Sequence, residues 1–317
     1  MSEMTSKLFN AKTVGKKRAL VGCGGVMKGG AFIAGWLGRL GEEMGDSFPD
    51  FFNGGMYLGS VSVYEGTFAL ANQPRTILRT WNNYVDGLKL VNIFNYFIGR
   101  QTVKLDYLTR IFKSDIAQLN TEAVLKAKVR PTYLVTDFDT NQTLYLQPKT
   151  SQEIFDFLEA AATMPGLSRK KIINGNNYGD GVFSVGFGIA KAIEDGNEEI
   201  LILSGDPDLE LSEKLIVRIM RKIHSIRLYL TGQHVQFRLF KNYGVQLKKC
   251  FKLARSHPEK VEIVAPKINR ALTPLNSGRK TIRQNVQSGW DYGGIWLYEH
   301  GYINADKVKR RMPRDVM

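Results

Sequence analysis

Apolar positions along this chain follow two rhythms. Arg18 to Cys23 (RALVGC) is a short apolar run between the basic KKR and a cluster of glycines, the mark of a buried strand. The residues that follow, AFIAGWLGRLGEEMG, place apolar side chains at helical spacing. A strand that leads through glycines into a helix opens an α/β unit. MYLGS predicts a second strand, VRPTYLVTDFD a third, and TLYLQP its hairpin partner. SQEIFDFLEAAATM is a helix closed by Pro165. FSVGFGIAKAIEDG predicts one further helix capped by Gly196, and EEILILSGDP another buried strand. Strands alternating with helices predict an α/β fold whose mostly parallel sheet is sandwiched by helices.

Beyond Asp208 the rhythm changes. Two long helical patterns separated near TGQH are followed by the strand-like VEIVAP and a last helix near SGRKTIRQNVQSG. Gly205 and Pro207 break regular structure and predict a boundary near Asp206 to Leu209. The expected organisation is a tail over 1–16, an α/β domain over 17–208, and a smaller, helix-rich domain over 209–317.

Charge sharpens that division. Residues 1–210 hold 22 basic and 23 acidic side chains, and residues 211–317 hold 22 and 7, a surplus of 15 that exceeds the whole net charge of +14. A surface this basic is either an ordinary solvated face or one that attracts an anionic partner. Anionic membrane is the expected partner; nucleic acid is disfavoured, because aromatic interleaving is thin and no recognised motif appears. Met1 to Lys17 lacks a long apolar segment, and no later run approaches the roughly 18 to 20 residues that span a bilayer. A cytoplasmic protein is expected, with membrane association through the basic third. Cys23 and Cys250 alone exclude a disulfide framework, and without nearby histidines they exclude a zinc site.

Three stretches carry candidate chemistry. GCGGVMKGG, Gly22 to Gly30, sits between strand and helix, where backbone N–H groups and a helix N-terminus can receive a phosphate or a developing oxyanion. It matches neither the P-loop spacing nor G-x-G-x-x-G. NGGMYLGSVSVYEGTFALANQP runs from a strand through Ser60 and Ser62 into a helix. Asp180 precedes Gly181 in NNYGDGV, a polar stretch that reads as a loop. Residues 1–223 contain no histidine, so a Ser-His-Asp triad within the α/β segment is excluded, while a serine served by an aspartate is not. Asp137 and Asp139 in TDFDT lack further ligands at metal spacing and are read as turn formers. The aromatic-rich LVNIFNYFIG, with Phe94, Tyr96 and Phe97, is expected in the core or in a lid wall, as is Trp81.

These stretches, in this order, resemble the patatin-like phospholipases, in particular the bacterial subgroup with an extra C-terminal region. CGGVMKGGAFIAGWL is similar to the family's oxyanion loop and following helix, DGV to its D-G-[GA], and FDFLEAAATMP to the helix before its x-x-P loop. The resemblance spans most of residues 18–206. It implies a lipid acyl hydrolase that uses a Ser-Asp dyad without metal or organic cofactor. Asp180 would be the base, and the N–H groups of Gly24, Gly25 and Val26 the oxyanion hole, with Lys28 a candidate source of positive field.

Counting back from Gln73 by the family's helix length puts the nucleophile at Ser60, in the pentad Leu58-Gly59-Ser60-Val61-Ser62. Both glycines of the usual G-x-S-x-G are then replaced. Taking Gly59 as the first glycine places Val61 at the catalytic position and leaves no nucleophile. Ser62 is the remaining candidate, at the expense of Tyr64 where a small residue belongs. The implied substrate is a phospholipid or related acyl ester. The competing function is a catalytically silent relative that binds lipid or another anionic partner.

Overall fold

Alternating side chains along the apolar runs are divided between the two faces of one sheet. A computed structural model describes residues 8–13, 15–98, 100–205, 215–266 and 278–317; for Val26, Lys28, Leu88, Ile93 and residues 215–221 it describes the backbone alone. The sheet has eight strands: β1 (Arg18–Cys23), β2 (Gly55–Leu58), β3 (Pro131–Asp137), β4 (Gln142–Leu146), β5 (Lys171–Ile173), β6 (Asn176–Asp180), β7 (Glu199–Ser204) and β8 (Val261–Val264). Hydrogen-bonded neighbours run along the path β5-β6-β3-β2-β1-β7-β8, with β4 also on β3. The five strands from β3 to β8 on this path are parallel, and β4, β5 and β6 are joined by antiparallel pairing.

Leu20, Leu58, Val135, Leu201 and Leu203 face one core. Val21, Tyr57, Leu134, Ile200 and Ile202 face the other. The first core is closed by the Val26–Met44, Ser62–Leu70, Ser151–Ala162 and Arg279–Glu299 helices, the second by short helices after β6 and the His234–Arg255 helix. Burial on both faces explains why the central strands read as continuous apolar runs.

Two expectations change. Val182–Val185 and Ile189–Glu194 are separate helices, not one, because Gly186 adopts φ 76° and a Cβ there would press within 3.1 Å of Cys250 Cβ. NNYGD is a strand rather than a loop: β5 and β6 form a hairpin turned by Asn174 and Gly175, both at positive φ. Consecutive left-handed residues match the right-handed twist of the flanking strands.

The expected boundary at Asp206 to Leu209 lies outside the described residues. Described elements beyond it complete the sheet and its two cores rather than enclosing a core of their own. β8 pairs in parallel with β7, and Val286, Trp290 and Leu297 of the Arg279–Glu299 helix join the first core. That helix crosses the Val26–Met44 helix backbone against backbone. A Cβ on Gly35 would lie 2.0 Å from Val286 O, and one on Gly289 2.0 Å from Phe32 O. Arg39, fully buried, donates to the carbonyls of Lys307 and Arg310 and so ties the C-terminal segment to the same helix. Among the described residues, no helix is long and apolar enough to cross a membrane.

Candidate active site

Strand pairing brings Ser60 and Asp180 together. Val135 to Asp137 pair with both β4 and β6, and Tyr133 with both β2 and β4, so β2 and β6 share one edge of β3. β2 leaves that edge after Leu58, opposite Tyr133. Asp180 arrives on it opposite Val135, two residues further along. The position that β2 vacates at its turn is therefore occupied by the carboxylate at the end of β6.

The turn itself is sharp. Ser60 adopts φ 54°, a left-handed conformation unusual for a residue with a Cβ, between β2 and the Ser62–Leu70 helix. Such backbone costs on the order of 1 kcal/mol and persists where its surroundings enforce it. Here the Ser60 N–H donates to Ala161 O at 3.0 Å, and the Asp180 N–H donates to Thr163 O at 2.9 Å. One short segment at the end of the Ser151–Ala162 helix thus grips both residues. Ser60 is half-buried, whereas Asp180 is buried.

Burial pushes the Asp180 carboxyl up to about 7 from its ordinary 3.8, against the opposing effects of the Val182 N–H, which donates to it, and of the neighbouring Ser60 hydroxyl and backbone N–H. The Val182 N–H bond to Asp180 Oδ1 is 3.0 Å. Desolvation outweighs these polar neighbours because no cation is among the groups acting on the carboxylate. A carboxyl poised near neutrality exchanges protons with a bound hydroxyl far more readily than one at 3.8.

Ser62 is placed differently. Its hydroxyl donates to Gly59 O at 2.7 Å and accepts from the Gly59 N–H at 3.2 Å, in a residue that is fully buried. It closes the turn that presents Ser60. The two missing pentad glycines are replaced by glycines on the facing elements. A Cβ on Gly22 would lie 2.4 Å from Ser62 Oγ, and one on Gly66 2.5 Å from Leu58 Cδ2. Close packing that G-x-S-x-G obtains within the turn is obtained here from its neighbours.

The glycine loop abuts the same hydroxyl. A Cβ on Gly24 would lie 2.7 Å from Ser60 Oγ, so only a bare backbone fits there. Gly25, at φ 144°, caps the Val26–Met44 helix without a side-chain hydrogen bond, which leaves the first-turn N–H groups without a capping acceptor. Gly24 thus lies against Ser60, and Gly25 and the Val26 backbone follow it in the chain at the start of the helix. Lys28 lies in that first turn; its side chain is outside the described residues.

Other candidates take structural roles. Asp137 Oδ1 accepts from the N–H groups of Asp139 and Thr140, and Asp139 Oδ2 from Asn177 N–H, which holds the β3–β4 turn against β6. His224 is buried with Nε2 on Pro165 O at 2.8 Å and its ring edge-on to Phe240. Trp81 is buried, with Gly30 leaving room for its indole, but Phe94 and Phe97 are exposed, which excludes the core among their expected placements. Neither side chain has a core to enter, because the short Ile93–Phe97 helix lies at the surface. Glu65, on the Ser62–Leu70 helix, is a buried acid missed in the sequence. Burial raises its carboxyl well above the ordinary range; the Trp81 indole N–H opposes this but stands outside hydrogen-bond geometry. Among the described residues, no group of three or more potential ligands is arranged to hold a metal.

The grips supplied by Ala161 and Thr163 also had no sequence signal, since a carbonyl is common to every residue. No protein-family model matches the chain, and no curated protein matches it significantly.

Proposed function

We propose that this chain is a patatin-like serine acyl hydrolase, acting on phospholipids or related acyl esters through Ser60 and Asp180. The observation that carries this reading is a strained, half-buried serine beside a fully buried carboxyl poised near 7, with a bare glycine backbone against its Oγ. As ester approaches, Asp180 accepts the Ser60 proton while Oγ attacks the carbonyl carbon. The oxyanion forms beside Gly24 and Gly25 and receives their N–H groups and that of Val26. Collapse of the tetrahedral intermediate breaks the ester bond, and Asp180 returns the proton to the departing alcohol. Water, deprotonated by Asp180, then attacks the acyl-Ser60 ester and releases the fatty acid.

A fluorophosphonate probe tests this reading, because it reacts with an activated serine irrespective of the natural ester. Labelling is expected on the peptide holding Ser60, and is expected to vanish in Ser60→Ala and in Asp180→Asn. The double variant should be no worse than either single variant, since the two residues act as one unit. Labelling that survives Ser60→Ala would move the nucleophile; silence of the native chain, with a reference hydrolase labelled in parallel, would favour the silent lipid-binding function.

A further inference from the structure

We propose that the Ile93–Phe97 helix and the outer stripe of the Leu215–Leu230 helix form a docking surface for an anionic phospholipid bilayer, with a lipid phosphate received between Arg100, Arg169 and Arg227. Phe94, Phe97 and Leu230 are each at least 75% exposed, and Ile98, Ile223 and Ile226 at least half exposed. Single exposed apolar residues are commonplace, but grouped ones mark interaction surfaces. Ile223, Ile226 and Leu230 recur at helical spacing on one stripe, whereas His224 and Leu228 turn inward. The two helices meet where Arg227 donates to Tyr96 O at 2.8 Å and stacks over the Tyr96 ring.

Beside this contact lies a crevice of about 500 Å³ lined by Arg100, Gln101, Gly166, Leu167, Ser168, Arg169 and Arg227. Its three arginines come from three separate segments, and no carboxylate lines it. Guanidinium groups match phosphate oxygens in charge and in paired geometry, and aromatic and aliphatic side chains enter the headgroup boundary beside them. Apolar protrusions flanking a cationic depression complement an anionic bilayer in both respects. Gly166 of the crevice follows Thr163, the residue that holds the Asp180 N–H, within one short loop of the chain. Arg100, Arg169 and the apolar residues of 94–98 fall outside the basic last third, which separates this surface from a diffuse charge effect.

Binding can be measured by flotation with vesicles of phosphatidylcholine alone or mixed with phosphatidylglycerol. Ser60→Ala protein is used, so that the lipid stays intact and the outcome does not depend on the hydrolase reading. Binding should require phosphatidylglycerol and fall as salt rises. F94S/F97S should weaken it at least about tenfold through lost insertion, and R100Q/R169Q about tenfold to thirtyfold with a shallower salt dependence. K248Q/K249Q/K252Q alters exposed residues on the His234–Arg255 helix, roughly 20 Å from its start at 1.5 Å per residue, and should change binding less than about threefold. Native-like binding by both double variants would overturn the proposal, as would an equal loss from the lysine triple. Absent vesicle binding, with self-association that F94S/F97S abolishes, would reassign the surface to a second copy of this chain.

Discussion

Asp180→Asn should make the fold more stable above neutral pH while removing the reactivity of Ser60. Raising the carboxyl from 3.8 to about 7 costs the ionised folded chain about 4 kcal/mol, at about 1.36 kcal/mol for each tenfold change in acidity. Its sign follows from proton binding. Below about pH 4 both folded and unfolded chains hold the proton, so burial of the group carries no ionisation penalty. Between about pH 4 and pH 7 the unfolded chain releases the proton first, and stability falls as pH rises through that window. Above about pH 7 the folded carboxylate is ionised as well, and the full penalty remains.

An asparagine keeps the acceptor for Val182 N–H but does not titrate. Urea unfolding of both proteins at a series of pH values isolates this one group, since every other titration cancels in the difference. The stability of Asp180→Asn relative to the native chain should rise by about 4 kcal/mol from about pH 4 to about pH 8, with the change concentrated below pH 7. A constant offset across that range would refute the burial argument, whatever its size. The same group predicts that ester hydrolysis increases with pH through about 7, because the base acts only when ionised.

Three further outcomes follow from the same geometry. Ser62→Ala should retain fluorophosphonate labelling at Ser60 while losing about 1 to 3 kcal/mol of stability, from the broken link to Gly59, in denaturant unfolding. Gly22→Ala should destabilise by about 1 to 3 kcal/mol through its clash with Ser62 Oγ, and Ser62→Gly in the same chain should recover part of that loss; additive unfolding energies would contradict the exchanged-glycine account. Glu65→Gln should gain stability relative to the native chain as pH rises above the ordinary carboxyl range, seen as a residual pH slope in Asp180→Asn that the double variant lacks.

Most of the fold was legible because its signals are local. Apolar runs that pack on both sides mark β1, β3 and β7, and the 3.6-residue rhythm marks the long helices. The β5–β6 hairpin was missed even though Asn174-Gly175 is a strong turn signal, because the polar NNYGD that follows lacks a strand's apolar alternation. Gly186 looked like one residue within a helix, and its left-handed backbone becomes necessary only when Cys250 and Gln246 pack against it. The composition shift after Asp208 was real, yet charge resides on outward faces while the inward faces of the same segments complete the sheet and its cores.

By itself the sequence determined the α/β alternation, the glycine loop, and a histidine-free segment holding Ser60, Ser62 and Asp180. It left two serines standing, because residues two apart on a turn carry the same chemistry and differ only in direction. Tertiary structure separated them: the shared edge of β3 puts Asp180 beside the end of β2, and Gly22 and Gly66 admit a turn that directs Ser60 toward it and Ser62 into the core. The raised carboxyl of Asp180 was likewise absent from the local sequence, since it arises from burial that only the folded chain imposes.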